Sequence, residues 1–210
     1  MIGLRKKWVL AIPAAGAERG VFIQYFIGEF DGNTLKNDNP GDLVLAVDYG
    51  DCFYAAIHWN EIPKDKKIYI GWMIPAPQST YPWRGQMSVA RNLSLQQTKD
   101  GLRLIQEPTS IIQNNLGKLS AGKMISMNDV KISDAEKLLN PLKKIPGNSC
   151  WIDAVFTISS GADLGFKIGQ QIDKNNKILA ETIIGYNAAT AKLYVDKTNS
   201  GNAKLDKDRL

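Results

Sequence analysis

The feature that most constrains this chain is a succession of short apolar and aromatic runs, each closed by Gly, Asp, Asn or Pro. QYFIGEF at 24–30, LVLAVD at 43–48, FYAAIHW at 53–59 and IYIGWM at 68–73 follow one another without a helical period. Runs of about four to eight residues bounded by turn formers read as strands. Residues 7–12 (KWVLAI) read as a strand before them, and 13–20 as a loop rich in Ala and Gly. Asp31-Gly32 is a turn signal, and the polar NTLKNDNPGD after it predicts a surface loop. Residues 87–95 and 102–105 predict a strand pair around the turn at 98–101. Such a series argues for up-and-down antiparallel sheets.

Glu107-Pro108 interrupts the pattern. Residues 110–119 have room for one helical turn and read as a connector. Beyond it, MISMNDVKI (124–132) is a strand candidate, and SDAEKLLNPLKK (133–144) a short helix capped by Ser133 and stopped by Pro141. From Cys150 the period returns to two in CWIDAVFTI, LGFKIGQ, TIIGYN and KLYVDKT. Short strands at intervals of about ten residues fit a β-sandwich. The expectation is an all-β chain divided into 1–107, a connector at 108–116, and 117–210.

Composition excludes several classes. The net charge of +5 comes from scattered basic residues, with small clusters at 5–7, 64–67 and the C-terminal tail. No stripe of Lys and Arg interleaved with aromatics accompanies it, so no nucleic-acid partner is expected. No apolar run approaches the roughly 18–20 residues of a membrane-spanning helix, and no membrane partner is expected. The start, MIGLRKKWVLAI, lacks the form of a signal peptide. Cys52 and Cys150 have neither CxxC spacing nor paired histidines, so metal and redox chemistry have no support and two reduced, buried thiols fit better than a disulfide. No phosphate-binding G-x-x-x-x-G-K-[ST] occurs, and no cofactor is implied.

Three motifs carry a family resemblance: FIGEFDG at 26–32, DYGDCFYAA at 48–56 and PWRGQMS at 82–88. In this order and spacing they resemble the last two blades of the catalytic propeller of glycoside hydrolase family 32, the fructan hydrolases and invertases. FKIG at 166–169 and IGYNAATAKLYVDKTNSG at 184–201 resemble the start of that family's C-terminal sandwich, whose role there is mainly structural. The resemblance implies a partial five-bladed β-propeller, its last two blades in 1–107, followed by an incomplete β-sandwich in 117–210. It also implies an activity: hydrolysis of terminal β-D-fructofuranosides in sucrose, inulin or levan, with retention. The implied partner is a fructan or sucrose-type carbohydrate.

The family's catalytic carboxylates belong to D-P-N-G, R-D-P and E-C motifs in its first three blades, and none of these occurs in the 210 residues. The chain therefore resembles an internal fragment, inactive alone, with a separate N-terminal half carrying those blades as a further implied partner. No catalytic residue and no metal ligand is assigned. Within the matched part, Cys52 stands where the family writes a second Asp in D-x-G-x-D-F-Y, and a thiol is a poor acceptor for sugar hydroxyls. Pro75 lies near the place of a second Trp, and the usual P-R-E-L is Ala90-Arg91-Asn92-Leu93. Cys52, Phe53 and Trp83 are the substrate-binding candidates on this altered rim.

Plainer readings stand beside these. Glu29 and Asp31 share one strand face, and Asp48 and Asp51 bracket a turn. A glycosidase needs two carboxyl groups about 5–5.5 Å or about 6.5–9.5 Å apart, which sequence spacing does not establish, so a strand end and a turn account for both pairs. His58 has no Ser-Asp or Cys partner pattern and reads as structural or surface. Trp59 and Trp72 read as blade core, and only Trp83, in the P-W-R loop, suits a rim. The alternative function is a non-catalytic carbohydrate-binding or structural remnant.

Overall fold

The computed structural model describes residues 6–16, 20–63, 66–74, 82–119, 126 and 151–201. It divides into two compact units, Met1–Gln113 and Asn114–Leu210. In the first, β1 (Trp8–Gly16) pairs antiparallel with β2 (Gly20–Phe30), and β3 (Leu35–Asn37) pairs with the far end of β2. β2 buries Ile23, Tyr25 and Ile27 on one face, the period-two pattern of its sequence. The Asp31 carboxylate closes the turn into β3 by accepting the backbone N–H groups of Asn33 (2.8 Å) and Thr34 (2.7 Å). Those bonds hold its carboxyl below the usual carboxylate range, the Thr34 bond most.

The second sheet of this unit holds β4 (Phe53–His58), β5 (Ile68–Met73), β7 (Arg91–Thr98) and β8 (Gly101–Pro108) in that order, with the two-residue β6 (Gln86–Met87) also on β5. The core lies between the two sheets. Ile23, Tyr25 and Ile27 meet Leu45, Val47, Phe53 and Tyr69, with Leu93, Leu95, Leu102 and Leu104 packed around them. The Tyr25 hydroxyl accepts the Leu104 N–H at 3.4 Å, which ties β2 to β8. Burial raises the pKa of the Tyr69 phenol.

In the second unit, β9 (Asp163–Ile172), β10 (Ile178–Asn187) and β11 (Lys192–Asp196) form a meander with β10 central. Asp173 caps the β9–β10 turn through the N–H groups of Asn175 (2.8 Å) and Lys177 (2.9 Å). Asp163 accepts the Tyr194 hydroxyl at 2.9 Å and the Asn187 amide at 3.2 Å, which joins all three strands at one end. That bond to Asp163 raises the Tyr194 pKa.

Several expectations need correction. The loop at 13–20 is largely strand, because β1 continues through Pro13 to Gly16. β1 is an edge strand, where a missing N–H is tolerated. The loop at 33–42 contains β3. Residues 43–48 form no ladder: Leu45 and Val47 exchange only two bonds with β2, Tyr25 N–H to Leu45 O and Val47 N–H to Ile23 O, both 2.8 Å, around one bridge. The strand at 87–95 is two, since the Ser88 hydroxyl takes the Gly71 N–H at 3.0 Å and the chain leaves the β5 ladder at 88–90. Residues 110–119 form a ten-residue helix, α1 (Ser110–Leu119), with no proline to stop it.

Residues 151–158 are irregular, with Phe156 packed on Phe166 at 5.8 Å by ring contact in place of a backbone ladder. Apart from residue 126, which belongs to no strand, the strand expected at 124–132 lies outside the described residues, as do the helix at 133–144, Cys150 and Pro75.

Two predictions follow from local geometry. A Cβ at Gly71 would fall 2.5 Å from the Phe53 ring, so Gly71→Ala should cost about 1–3 kcal/mol through overpacking, read by urea unfolding. Restored stability in a Gly71→Ala, Phe53→Leu double variant would confirm that the ring is the obstacle. The Asp31 carboxyl titrates below its unfolded value, so its turn is intact above the usual carboxylate range and loosens as pH falls through the folded value. The amide resonances of Asn33 and Thr34 should report that titration, and Asp31→Asn should abolish it.

Candidate functional site

One end of the β4–β8 sheet gathers the distinctive side chains. Phe53 opens β4 opposite Met73 at the end of β5, and Met73 pairs with Gln86 at the start of β6. The segments leading into β4 and β6, residues 48–52 and 82–85, therefore emerge at the same end of the sheet, on either side of β5. The Ile74 N–H donates to the Cys52 carbonyl at 2.7 Å, extending the β4–β5 ladder to this rim. Within β4 the register slips between Tyr54 and Ile57, and Ala55 takes φ 45°. This is a bulge, the device that re-aims a strand beside a functional surface.

Arg91 organises the rim from below. Its guanidinium donates to the Asp48 carboxylate at 2.7 Å and to the Gln106 side-chain carbonyl at 3.1 Å. It lies 4.2 Å from the centroid of the Phe53 ring. The Gln106 amide donates to the carbonyl of Val47, the residue before Asp48, and closes the network. The other Asp48 oxygen accepts the Gly50 N–H at 2.8 Å. With both carboxylate oxygens engaged, Asp48 is suited to hold a turn in shape and ill-suited to attack a sugar. Glu29 pairs with Lys7 at 3.2 Å, and Asp31 is committed to its turn.

The three sequence candidates fall in different environments. Phe53 is 2% exposed and forms the floor under Arg91. Cys52 is half-buried on the rim. Trp83 is 73% exposed, carried on a loop that Trp72 pins through its indole N–H to the Arg84 carbonyl at 3.2 Å. His58 and Trp59 are exposed at the opposite end of β4. Arg91 and Gln106 went unread as site residues, because their separations of 43 residues (Arg91 to Asp48) and 59 (Gln106 to Val47) leave no local signal. Tyr49, 86% exposed between Asp48 and Gly50, was likewise passed over. Among the described residues no group of three or more His, Cys, Asp or Glu side chains could hold a metal ion.

The description of the N-terminal domain of glycosyl hydrolases family 32 matches residues 3–108, and that of the family's C-terminal region matches 118–209. The chain belongs to glycosyl hydrolases family 32. A levanase of Bacillus subtilis is 34% identical over 94% of this chain, which spans 29% of the levanase. An extracellular exo-inulinase of Aspergillus awamori is 30% identical over 87% of the chain and 34% of its own length. A crystal structure of exo-inulinase from Aspergillus awamori matches with a TM-score of 0.59 and 26% identity, covering 96% of this chain and 40% of the other. The chain thus spans about a third of the length of these curated relatives. Within the family 32 architecture, the two sheets of the first unit are part of the β-propeller, and β9–β11 belong to the β-sandwich.

The network predicts its own energetics. Asp48 and Arg91 keep only 25% and 22% of their side-chain surface exposed. Hydrogen bonds to charged groups contribute about 1.5–3 kcal/mol, so Asp48→Ala and Arg91→Ala should each lower unfolding free energy by about that much. A double-mutant cycle should return a coupling of at least about 1 kcal/mol. Arg91→Lys should recover only part of the loss, since an ammonium keeps the charge but not the planar stack on Phe53.

Proposed function

We propose that this chain is the part of a family 32 β-fructosidase that supplies the last two propeller blades from 1–107, a connector at 108–116 and sandwich strands from 117–210. In that role it forms one wall of a site that hydrolyses terminal β-D-fructofuranosides of levan, inulin or sucrose with retention. Cys52 and Trp83 face the sugar, and Phe53 serves as the buried floor that steadies Arg91. The observation that carries this reading is the Arg91 clamp: it holds the Asp48–Cys52 turn in one shape at the rim, and the relatives are named levanase and exo-inulinase.

The reaction class requires a nucleophile and an acid. The motifs that hold them in the family do not occur in these 210 residues, and Asp48 is tied up by Arg91 and Gly50. On this reading the carboxylates come from a polypeptide bearing the first three blades. Its docking place is the outer face of β1 and β2, where Trp8, Leu10, Ile12 and Phe30 form an exposed apolar surface. The engagement of both Asp48 oxygens also favours a second reading, a non-catalytic carbohydrate-binding or structural remnant.

Reducing-sugar release from levan, inulin and sucrose separates the two. Purified chain alone should release none. Mixed with a polypeptide carrying the first three blades of a family 32 levanase, it should restore turnover. An inert mixture whose chain still binds fructan would favour the non-catalytic reading. Turnover by the chain alone would place a complete active site within these two blades and overturn both.

A further inference from the structure

We propose that Tyr49 is a second sugar-stacking residue, and that Tyr49 and Trp83 together hold successive sugar rings of a fructan, so that the rim favours levan and inulin over sucrose. This deepens the reading above and rests on it.

Single exposed aromatics are ordinary on protein surfaces. These two are distinguished by how firmly they are carried. Tyr49 sits between Asp48 and Gly50, and one carboxylate fixes the backbone on both sides of it, through Arg91 at 2.7 Å and the Gly50 N–H at 2.8 Å. Trp83 precedes Arg84, whose carbonyl receives the Trp72 indole N–H at 3.2 Å, and Gly85 at φ 81° turns the chain into β6. The pairing of Phe53 with Met73, and of Met73 with Gln86, brings both turns to the same end of one sheet. Cys52 lies beside them.

An aromatic face accepts the apolar C–H face of a sugar, and a ring carried on an already fixed backbone loses less freedom on binding. Two such faces on separate turns can hold two successive rings. Sucrose offers one ring beyond its fructosyl unit, whereas a fructan offers a chain of them.

The test is affinity electrophoresis of the 210-residue chain in gels containing levan or inulin, with titration calorimetry against sucrose and fructose. Levan and inulin should retard the chain. Tyr49→Ala and Trp83→Ala should each weaken retardation by about five- to tenfold, the range for truncating an aromatic anchor. Tyr49→Phe should retain most of it, because the face and not the hydroxyl does the binding. Sucrose should bind more weakly than fructan. Unaltered circular dichroism and melting in the alanine variants would show that the fold is intact, as expected for side chains this exposed. Fructan retardation that survives Tyr49→Ala would overturn the inference while leaving the rim's sugar binding in place. A wild-type chain that no fructan retards would overturn the inference and the sugar-binding rim with it.

Discussion

The rim depends on one guanidinium. Arg91 meets a carboxylate at one nitrogen and an aromatic ring below it, so a residue at the start of β7 fixes a turn that precedes β4. A partly buried ion pair is weak when its charges lack further partners. Here each charge has a further partner: Gln106 shares the guanidinium, Gly50 shares the carboxylate, and Gln106 returns to the backbone at Val47. The loop of bonds crosses from the segment beside β2 to the β4–β8 sheet, where the apolar core also lies. Packing and polar order therefore reinforce each other at one place.

The same economy appears in how aromatic rings are placed over glycine. Gly71 leaves room for Phe53, and Gly185 leaves room for Tyr194, whose ring would stand 2.4 Å from a Cβ there. In both cases the glycine lies on the strand paired with the ring's own strand, so a cross-strand contact replaces a side-chain pair. In the first unit the result is the floor of the candidate site. In the second it lets the Tyr194 hydroxyl reach Asp163 and close the meander. Membership of family 32 fits this division, the first unit matching the family's N-terminal domain and the second its C-terminal region.

On the proposed function the rim is a binding surface. Its carboxylate is neutralised, its thiol is half-buried, and its aromatics face solvent. In that proposed role, groups that shape a turn and present rings would orient a sugar without moving a proton. Such a wall is useful where the reacting carboxylates stand opposite, which is the arrangement the proposed function requires.

From the residues alone came the all-β class, the runs that became β2, β4, β5, β9, β10 and β11, the family, and Trp83 as an exposed loop residue. Each is written locally, in period-two alternation, turn residues or contiguous motifs. Only the tertiary structure decided which runs acquired ladders. Residues 43–48 and 151–158 carry strand-like sequence yet lack the continuous pairing that makes a strand, while Pro13 was admitted to β1 because it lies at an edge. The site divided in the same way. Phe53 belongs to a motif, but its burial beneath Arg91 is a fact of three-dimensional packing. Arg91, Gln106 and Tyr49 emerged from contacts or exposure set by how sheets meet, and no spacing along a chain encodes the meeting of residues that only folding makes neighbours.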